Sequence, residues 1–320
     1  MKNSTQPRSR ALRSIVALAA SLACLTVSAC GSSASAGSGD GQPGGGESRT
    51  VAHAMGETVV EGEPSTIVVL DSPFMDALVS LGITPAGGTV ADQGEGFPGY
   101  LGEATDGVET VGLIAEPDVD AVANLAPDLI IGTKIRHEAI YDELSAIAPT
   151  VYSETSGTNW EDQARLAAEA VGKSGEMDAL IGEVEARAQE LGEEVGAEGT
   201  TVSMVRFLED NFRLYGPETF SGSILTDMGY ELGDRSWNEY SMLELSPENY
   251  DQIDGDVIFY TSPGGDPAAS TLGTVTDLWK DQPGVAAGQA FEVPEGTWMT
   301  GIGVTGAHQI LDEIEERLGS

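Results

Sequence analysis

The chain has 320 residues, with 15 Lys+Arg against 52 Asp+Glu and a formal net charge of -37. So acidic a chain disfavours nucleic acid and anionic lipid headgroups as partners, because both are polyanions. With only Cys24 and Cys30, both near the amino terminus, no disulfide framework is available and stability must come from a buried core.

Lys2, Arg8, Arg10 and Arg13 precede the apolar run Ile15 to Val27, which has signal-peptide length and is too short to read as a membrane span. The run ends Val27-Ser28-Ala29-Cys30, and small residues before a single Cys resemble a bacterial lipobox, in which Cys30 is diacylated and becomes the new amino terminus. An ordinary signal peptide cleaved after Ala29 is the competing reading. Residues 1–29 are therefore expected to be a lipoprotein signal peptide and 30–50 a Gly/Ser tether that can bury no core. Two acyl chains on Cys30 would hold the protein on a membrane surface. The remainder, about 270 residues, suffices for one large domain or two lobes.

In chain order, Ile67 to Leu70 reads as a strand covered on both faces, followed by a helix through Phe74 to Leu81 that stops at Gly82. A Gly-rich loop, Gly94 to Gly102, carries Phe97 and Tyr100 and is a candidate wall for a binding site. Leu129 to Gly132 is a second buried-type strand, with Lys134 and Arg136 at its carboxyl end. Two helical stretches follow, Trp160 to Val171 and Gly175 to Val195, the second with Ala179, Leu180, Val184, Ala188, Leu191 and Val195 on one stripe. Thr201 to Val205 is a strand leading directly into Arg206, and the alternation in Phe212 to Tyr215 puts Arg213 and Tyr215 on one strand face. Ser221 reads as the N-cap of a helix that stops at Gly229. Arg235, Trp237 and Tyr240 occupy a polar loop, and Val257 to Tyr260 form another buried-type strand.

The body of the chain is a loose duplication. Asp120 to Thr133 and Glu248 to Thr261 each have an acid, then Pro127 or Gly255 seven residues later, then Asp and an apolar strand. The fold class expected is α/β, two lobes with mostly parallel central sheets joined by one long linker helix. The divisions are an N-terminal lobe at 51–158, a helical linker at 159–196 and a C-terminal lobe at 197–320.

Beyond position 50 only ten basic residues remain, and five of them, Lys134, Arg136, Arg206, Arg213 and Arg235, fall in two short regions at or near strand ends. The planar donors of Arg contact carboxylate or hydroxamate oxygens in pairs, which suits them to an anionic, oxygen-rich ligand. The competing reading is surface ion pairing with Glu209, Asp210 or Asp234, each pair contributing about 0–1 kcal/mol. Tyr215, Phe220, Trp237 and Trp298 would supply the apolar part of the site, whereas Trp160 and Trp279 read as core. The three histidines, His53, His137 and His308, show no metal-ligand spacing, so no direct metal site is expected. No nucleophile elbow, phosphate loop or paired Cys points to an enzyme. Tyr215 or His137 keeps an axial haem ligand open.

At this point the chain resembles a known family. Gly56-Glu57-Thr58, Leu81-Gly82-Ile83-Thr84-Pro85, Pro127-Asp128-Leu129-Ile130-Ile131 and Ile147-Ala148-Pro149-Thr150-Val151 are similar to the iron-siderophore substrate-binding proteins of ABC importers. Leu245-Ser246-Pro247-Glu248, Asp256-Val257-Ile258-Phe259, Leu278-Trp279 and a closing helix from Gly306 to Leu318 extend the resemblance over residues 51–318. The resemblance implies a class III periplasmic-binding-protein-like fold with a shallow cleft between the lobes and little lobe motion. It implies a monomeric, non-enzymatic receptor without a resident cofactor, lipid-anchored through Cys30 on the extracytoplasmic face of a bacterial membrane. Its ligand would be a ferric siderophore of hydroxamate or citrate-hydroxamate type, delivered to an ABC permease dimer with its ATPase. Several Arg favour an anionic complex, and Ile131 to His137 looks like the citrate-hydroxamate branch. Asp120 and Glu248 match the lobe-tip acids that meet the permease, the first a shorter stand-in for the usual Glu; both also suit helix amino termini. A haem or cobalamin receptor of the same fold is the alternative.

Overall fold

Continuous apolar runs become the central strands of two sheets, one per lobe, in the computed structural model. It describes residues 48–319 apart from 93, 95 and 263–269. The expected signal peptide, Cys30 and the tether up to residue 47 lie outside the described residues. No helix among the described residues is long and apolar enough to cross a membrane.

The first lobe opens with an antiparallel hairpin of β1 (Arg49–His53) and β2 (Gly56–Val60). It continues through β3 (Ile67–Val69), α1 (Ser72–Ser80), β4 (Gly87–Val90), β5 (Glu109–Leu113) and β6 (Glu116–Pro117). Then come α2 (Val119–Asn124), β7 (Leu129–Thr133), α3 (Lys134–His137), α4 (Tyr141–Ser145) and β8 (Thr150–Ser153). Its sheet has the order β6-β5-β4-β3-β7-β8 and is parallel except for the β5–β6 pair. Helices α5 (Trp160–Val171) and α6 (Ser174–Val195) follow.

The second lobe contains β9 (Val202–Phe207), β10 (Phe212–Tyr215), α7 (Phe220–Asp227), β11 (Met242–Leu245) and β12 (Val257–Thr261). It closes with α8 (Leu272–Leu278), α9 (Pro283–Ala286), β13 (Ala290–Glu292), α10 (Glu295–Trp298) and α11 (Val304–Leu318). The strand order is β11-β10-β9-β12-β13. Here the expectation of a mostly parallel sheet needs correction: β12 runs parallel to β9 and β13, but β10 is antiparallel to both its neighbours. The cause is local. Only Leu208 to Asn211 separate β9 from β10, closed by Leu208 N–H donating to Asn211 O at 2.9 Å. A parallel return needs a crossover of a dozen or more residues. Arg206 consequently lies within β9 rather than after it.

The duplication has a physical basis in two aspartates. Asp128 accepts from Ser65 N–H at 2.9 Å and Thr66 N–H at 3.0 Å, and Asp256 accepts from the Thr201 hydroxyl at 2.7 Å. Each sits just before the second strand of its repeat and ties down the start of the first.

Helix α6 has 22 residues and spans about 33 Å at the usual rise. Its buried stripe is Met177, Ile181, Val184, Ala188 and Leu191, rotated from the expected one, so that Ala179 faces solvent. It packs on α5, α7 and α11, and α11 in turn packs on α1 of the first lobe. Gly192 permits the α6–α7 approach, since a Cβ there would stand 1.9 Å from Met228 O. One apolar cluster therefore runs from Ile67 and Phe74 in the first lobe to Phe259 and Ile314 in the second. Each such side chain contributes about 1.5–3 kcal/mol on burial. The N-cap of α7 is Thr219, whose hydroxyl accepts from Gly222 N–H at 3.2 Å, and not Ser221.

Burial, followed by the nearby Glu161 and Glu185 carboxylates, pushes the Asp227 carboxyl at the end of α7 up to about 6. A carboxyl raised in the folded state binds protons more tightly there than in the unfolded chain, so stability falls as pH rises through about 4 to 6. Asp227→Asn is expected to raise stability at pH 7 by on the order of 1 kcal/mol and to flatten the melting temperature between pH 4 and 6. Thermal melts across that range check both.

Candidate functional site: a cationic cleft between the lobes

The carboxyl ends of β4, β7 and β9, with neighbouring loops, frame a cleft of about 670 Å³ between the lobes. Ligands of open α/β sheets generally bind at such ends. The crossing segment at its base is held by Phe220 N–H donating to Gly157 O at 3.1 Å.

The two walls differ in character. The first lobe presents Met75, Val90, Phe97, Pro98, Ile114 and Ile135, with Arg136 as its one cation. The second presents Arg206, Arg213, Tyr215, Thr219, Ser221 and Tyr240, over a floor formed by Phe220 and Trp298. Ile135 and Tyr240 are exposed apolar side chains, one from each lobe.

The register of the second sheet sets Arg206 on β9 directly opposite Arg213 on β10, which is in turn opposite Glu244 on β11. Like charges directly opposite are destabilising, and carboxylates offset them. Arg213 donates from Nε and Nη2 to Glu244 Oε2 at 3.0 and 2.8 Å, and Arg206 pairs with Glu295 at the start of α10. Burial weakens the Arg206 charge, while Tyr215 and Glu295 more than restore it, so its pKa ends above the ordinary value. Arg136 donates from Nε to Asp71 Oδ2 at 2.9 Å, and that buried carboxylate also accepts from Thr133 Oγ1 at 3.3 Å. Thr89 Oγ1, Arg206 Nε and Glu295 Oε2 are buried without a partner among the described residues. Thr89 and Arg206 are among the residues that line the cleft.

Arg136, Arg206, Arg213, Tyr215, Phe220 and Trp298 come together here. The two large aromatics contribute surface rather than reach: Trp298 is 1% exposed, stacks on Phe259 at 4.8 Å and donates from Nε1 to Glu313 at 3.0 Å. Three expected residues do not join them. Lys134 turns away to Glu154 at 2.9 Å, because residues two apart on a helix point in nearly opposite directions. Arg235 lies near the amino end of β9 and donates to Gln252 O at 2.8 Å and to Asp254, tying two loops together. Trp237 packs on the core, with the Arg235 guanidinium 5.9 Å from its ring. The ion-pair partners of the Arg residues are Glu295, Glu244, Asp71 and Asp254 rather than the sequence-adjacent acids first considered.

The His137 reading also changes. Its Nδ1 accepts from Thr133 N–H at 3.2 Å and its Nε2 donates to Ile114 O at 2.8 Å, so neither nitrogen is free for a metal. Burial lowers its pKa, consistent with a neutral ring. Tyr240 and Met242 also line the cleft. The alternation along β11 was the available signal for Met242, but its direction was not readable. Asp120 and Glu248 are exposed at matching places ahead of β7 and β12. Asp118 caps α2 by accepting from Ala121 N–H at 3.0 Å, and Asp120 lies in the first turn of that helix, as an acid suited to a helix amino terminus does. Bonding to its own N–H and to Ser246 lowers the Glu248 pKa.

A family model described as "Periplasmic binding protein" matches residues 67–296. The chain is 37% identical over 308 residues to "Probable siderophore-binding lipoprotein YfiY" of Bacillus subtilis (strain 168), covering 92% of this chain and 94% of that protein. It is 30% identical over 301 residues to "Fe(3+)-citrate-binding protein YfmC" of the same organism, covering 92% of this chain and 94% of that protein. Among solved structures, Staphylococcus aureus SirA complexed with staphyloferrin B matches with a TM-score of 0.75 at 27% identity, covering 84% of this chain and 98% of that one.

The cleft's ion pairs differ in burial, and so should their deletion. The Glu295 side chain is 18% exposed and that of Glu244 is 56% exposed. Glu295→Gln leaves Arg206 facing Arg213 uncompensated and is expected to cost about 2 kcal/mol, whereas Glu244→Gln should cost about 0–1 kcal/mol. Urea denaturation of the two variants checks the order.

Proposed function

The chain belongs to the periplasmic binding protein family, and we propose that it is an extracytoplasmic receptor that captures a ferric siderophore and delivers it to an ABC permease. The family consists of substrate-binding proteins, not enzymes. The observation that carries the ligand assignment is the facing pair Arg206 and Arg213 on one wall with Arg136 on the other. Guanidiniums in that arrangement suit chelator carboxylate or hydroxamate oxygens, and the apolar first-lobe wall suits the chelator's hydrocarbon parts. Siderophore and ferric-citrate binding in the relatives' names supports the same class.

The mechanism is recognition without covalent chemistry. The chelator supplies the iron ligands, and the iron is cargo. Arg136, Arg206 and Arg213 exchange part of their bonding to Asp71, Glu295 and Glu244 for ligand oxygens, while Tyr215 and Phe220 contact its apolar surface. A citrate-hydroxamate or carboxylate complex fits best. His137, with both nitrogens engaged, removes one of the two axial ligands on which a haem reading rested. Around this core we place lipidation of Cys30 and a monomer divided into lobes at 51–158 and 197–320 with a helical linker at 159–196. Asp120 and Glu248 would dock on a permease dimer served by its ATPase. The shared apolar core favours small lobe motion.

Tryptophan fluorescence against ferric citrate, citrate-hydroxamate and hydroxamate siderophores, haem and cobalamin tests the ligand class. Quenching by the carboxylate-bearing complexes is expected; tight haem binding with no siderophore binding would sink the proposal. Arg213→Ala should weaken binding about 10- to 100-fold, the equivalent of one or two charge-assisted hydrogen bonds, with little change in melting temperature. Arg206→Ala should weaken binding similarly but also lower stability, because it strands Glu295. Asp120→Ala with Glu248→Ala should abolish iron uptake in cells while leaving solution affinity unchanged.

A further inference from the structure

Both walls of the cleft are fastened to one side chain that does not line it. Asp76 lies on α1, one residue after the cleft-lining Met75, and is 0% exposed. Its Oδ2 accepts from the Tyr100 hydroxyl at 2.9 Å and from Gly306 N–H at 3.0 Å, and its Oδ1 accepts from Thr305 N–H at 2.9 Å. Tyr100 directly follows Phe97-Pro98-Gly99, which forms part of the first-lobe wall. Thr305 and Gly306 open α11, directly after Met299, Thr300 and Ile302 of the second-lobe wall. The backbone is shaped around this joint. A Cβ on Gly303 (φ 149°) would stand 2.4 Å from Asp76 Cγ, and one on Gly301 would stand 2.7 Å from Tyr100 Cε1.

We propose that Asp76 is the positioning residue of the cleft, holding the Phe97 wall and the Met299–Ile302 wall in one register and so setting ligand affinity without touching ligand. The physical reason is that a buried carboxylate must keep its donors. Separating the Tyr100 wall would strip it of one donor, and separating the α11 wall would strip it of two. Apolar packing alone would allow the loops to settle in several arrangements, whereas directional bonds to two oxygens allow one. The proposal rests on the receptor reading for its effect on affinity, but the joint itself can be tested without a ligand.

Tyr100→Phe, Asp76→Asn and Gly303→Ala are compared with the wild type and with Arg187→Ala. Arg187→Ala removes ion pairs from α6 to Asp312 and Glu315 on α11, none of which lines the cleft. The probes are ferric citrate and ferric staphyloferrin B, followed by fluorescence quenching and calorimetric melting. Tyr100→Phe is expected to weaken affinity about tenfold, within the usual range for coupled sites, while lowering the melting temperature no more than Arg187→Ala, which binds as wild type. Wild-type affinity in Tyr100→Phe, or an affinity loss in Arg187→Ala that tracks its melting temperature, would overturn the proposal. Amide hydrogen exchange supplies the ligand-free arm. Asp76→Asn should speed exchange several-fold in both 97–101 and 304–307, and Tyr100→Phe chiefly in 97–101. Acceleration confined to one wall in Asp76→Asn would refute the shared joint even if neither probe binds the wild type.

Discussion

A carboxylate buried where the lobes meet is the constraint to which the rest of the molecule answers. Burial pushes the Asp76 carboxyl up, and donors from Thr305, Gly306 and Tyr100 oppose that push. A buried carboxyl group so placed is tolerated only while its partners stay fixed. Helix α11 must therefore begin where it does, Gly303 must lack a Cβ, and the turn carrying Tyr100 must fold back onto α1. The apolar cluster shared by α1, α5, α6 and α11 adds the same demand in a less directional form. Independent movement of the lobes would break both at once. A cleft framed by lobes joined in this way is held in shape by both.

The charge layout follows a similar logic at the cleft. Arg206 and Arg213 are set face to face by strand register, an arrangement that a sheet resists unless neighbouring acids offset it. Glu295 and Glu244 do so, and Asp71 does the same for Arg136. With carboxylates beside its cations the cleft stores little like-charge repulsion, and under the proposed function an anionic ligand would compete with three carboxylates for guanidinium donors. A weakly anionic molecule gains little from that exchange, and one with several convergent oxygens gains most. The acidic exterior also repels anions at long range, an effect that salt screens beyond about 10 Å. Under the proposed function, selectivity would therefore be local, written in donor geometry rather than in net charge.

Much of this was legible in the sequence, because the relevant signals are local. Gly82 and Gly229 take positive φ directly after helices, as their positions suggested. The alternation in Phe212 to Tyr215 put Arg213 and Tyr215 on one face, and they share it. The placements that differed depend on facts not carried locally. Arg235 and Trp237 follow β10 and α7 in sequence, yet the chain has by then returned to the amino end of β9. Arg136 reaches the cleft and Lys134 does not, because the stretch after β7 is a helical turn that points residues two apart to nearly opposite sides. Asp76 carried no signal at all. An acid within an apolar helix reads as solvent-facing unless one knows that another helix begins against it, 229 residues later.

The duplication explains why the two cleft walls differ. Strands β3, β7 and β8 correspond in order and direction to β9, β12 and β13, with Asp128 and Asp256 in matching roles. On the other side of the first strand the repeats part. The first lobe places β4 there as a parallel strand after α1, and its Gly87 and Gly88 leave room for Leu125, Met75 and Phe97 to pack closely. The second lobe places the hairpin partner β10 there, antiparallel, with β11 beyond it. Reversing that one strand brings Arg213 and Tyr215 to the cleft beside Arg206, where the first lobe offers apolar side chains. The polar and apolar halves of the site thus arise from a single departure from the repeat. Arg213 and Tyr215 therefore lie in the part of the fold that the two lobes do not share.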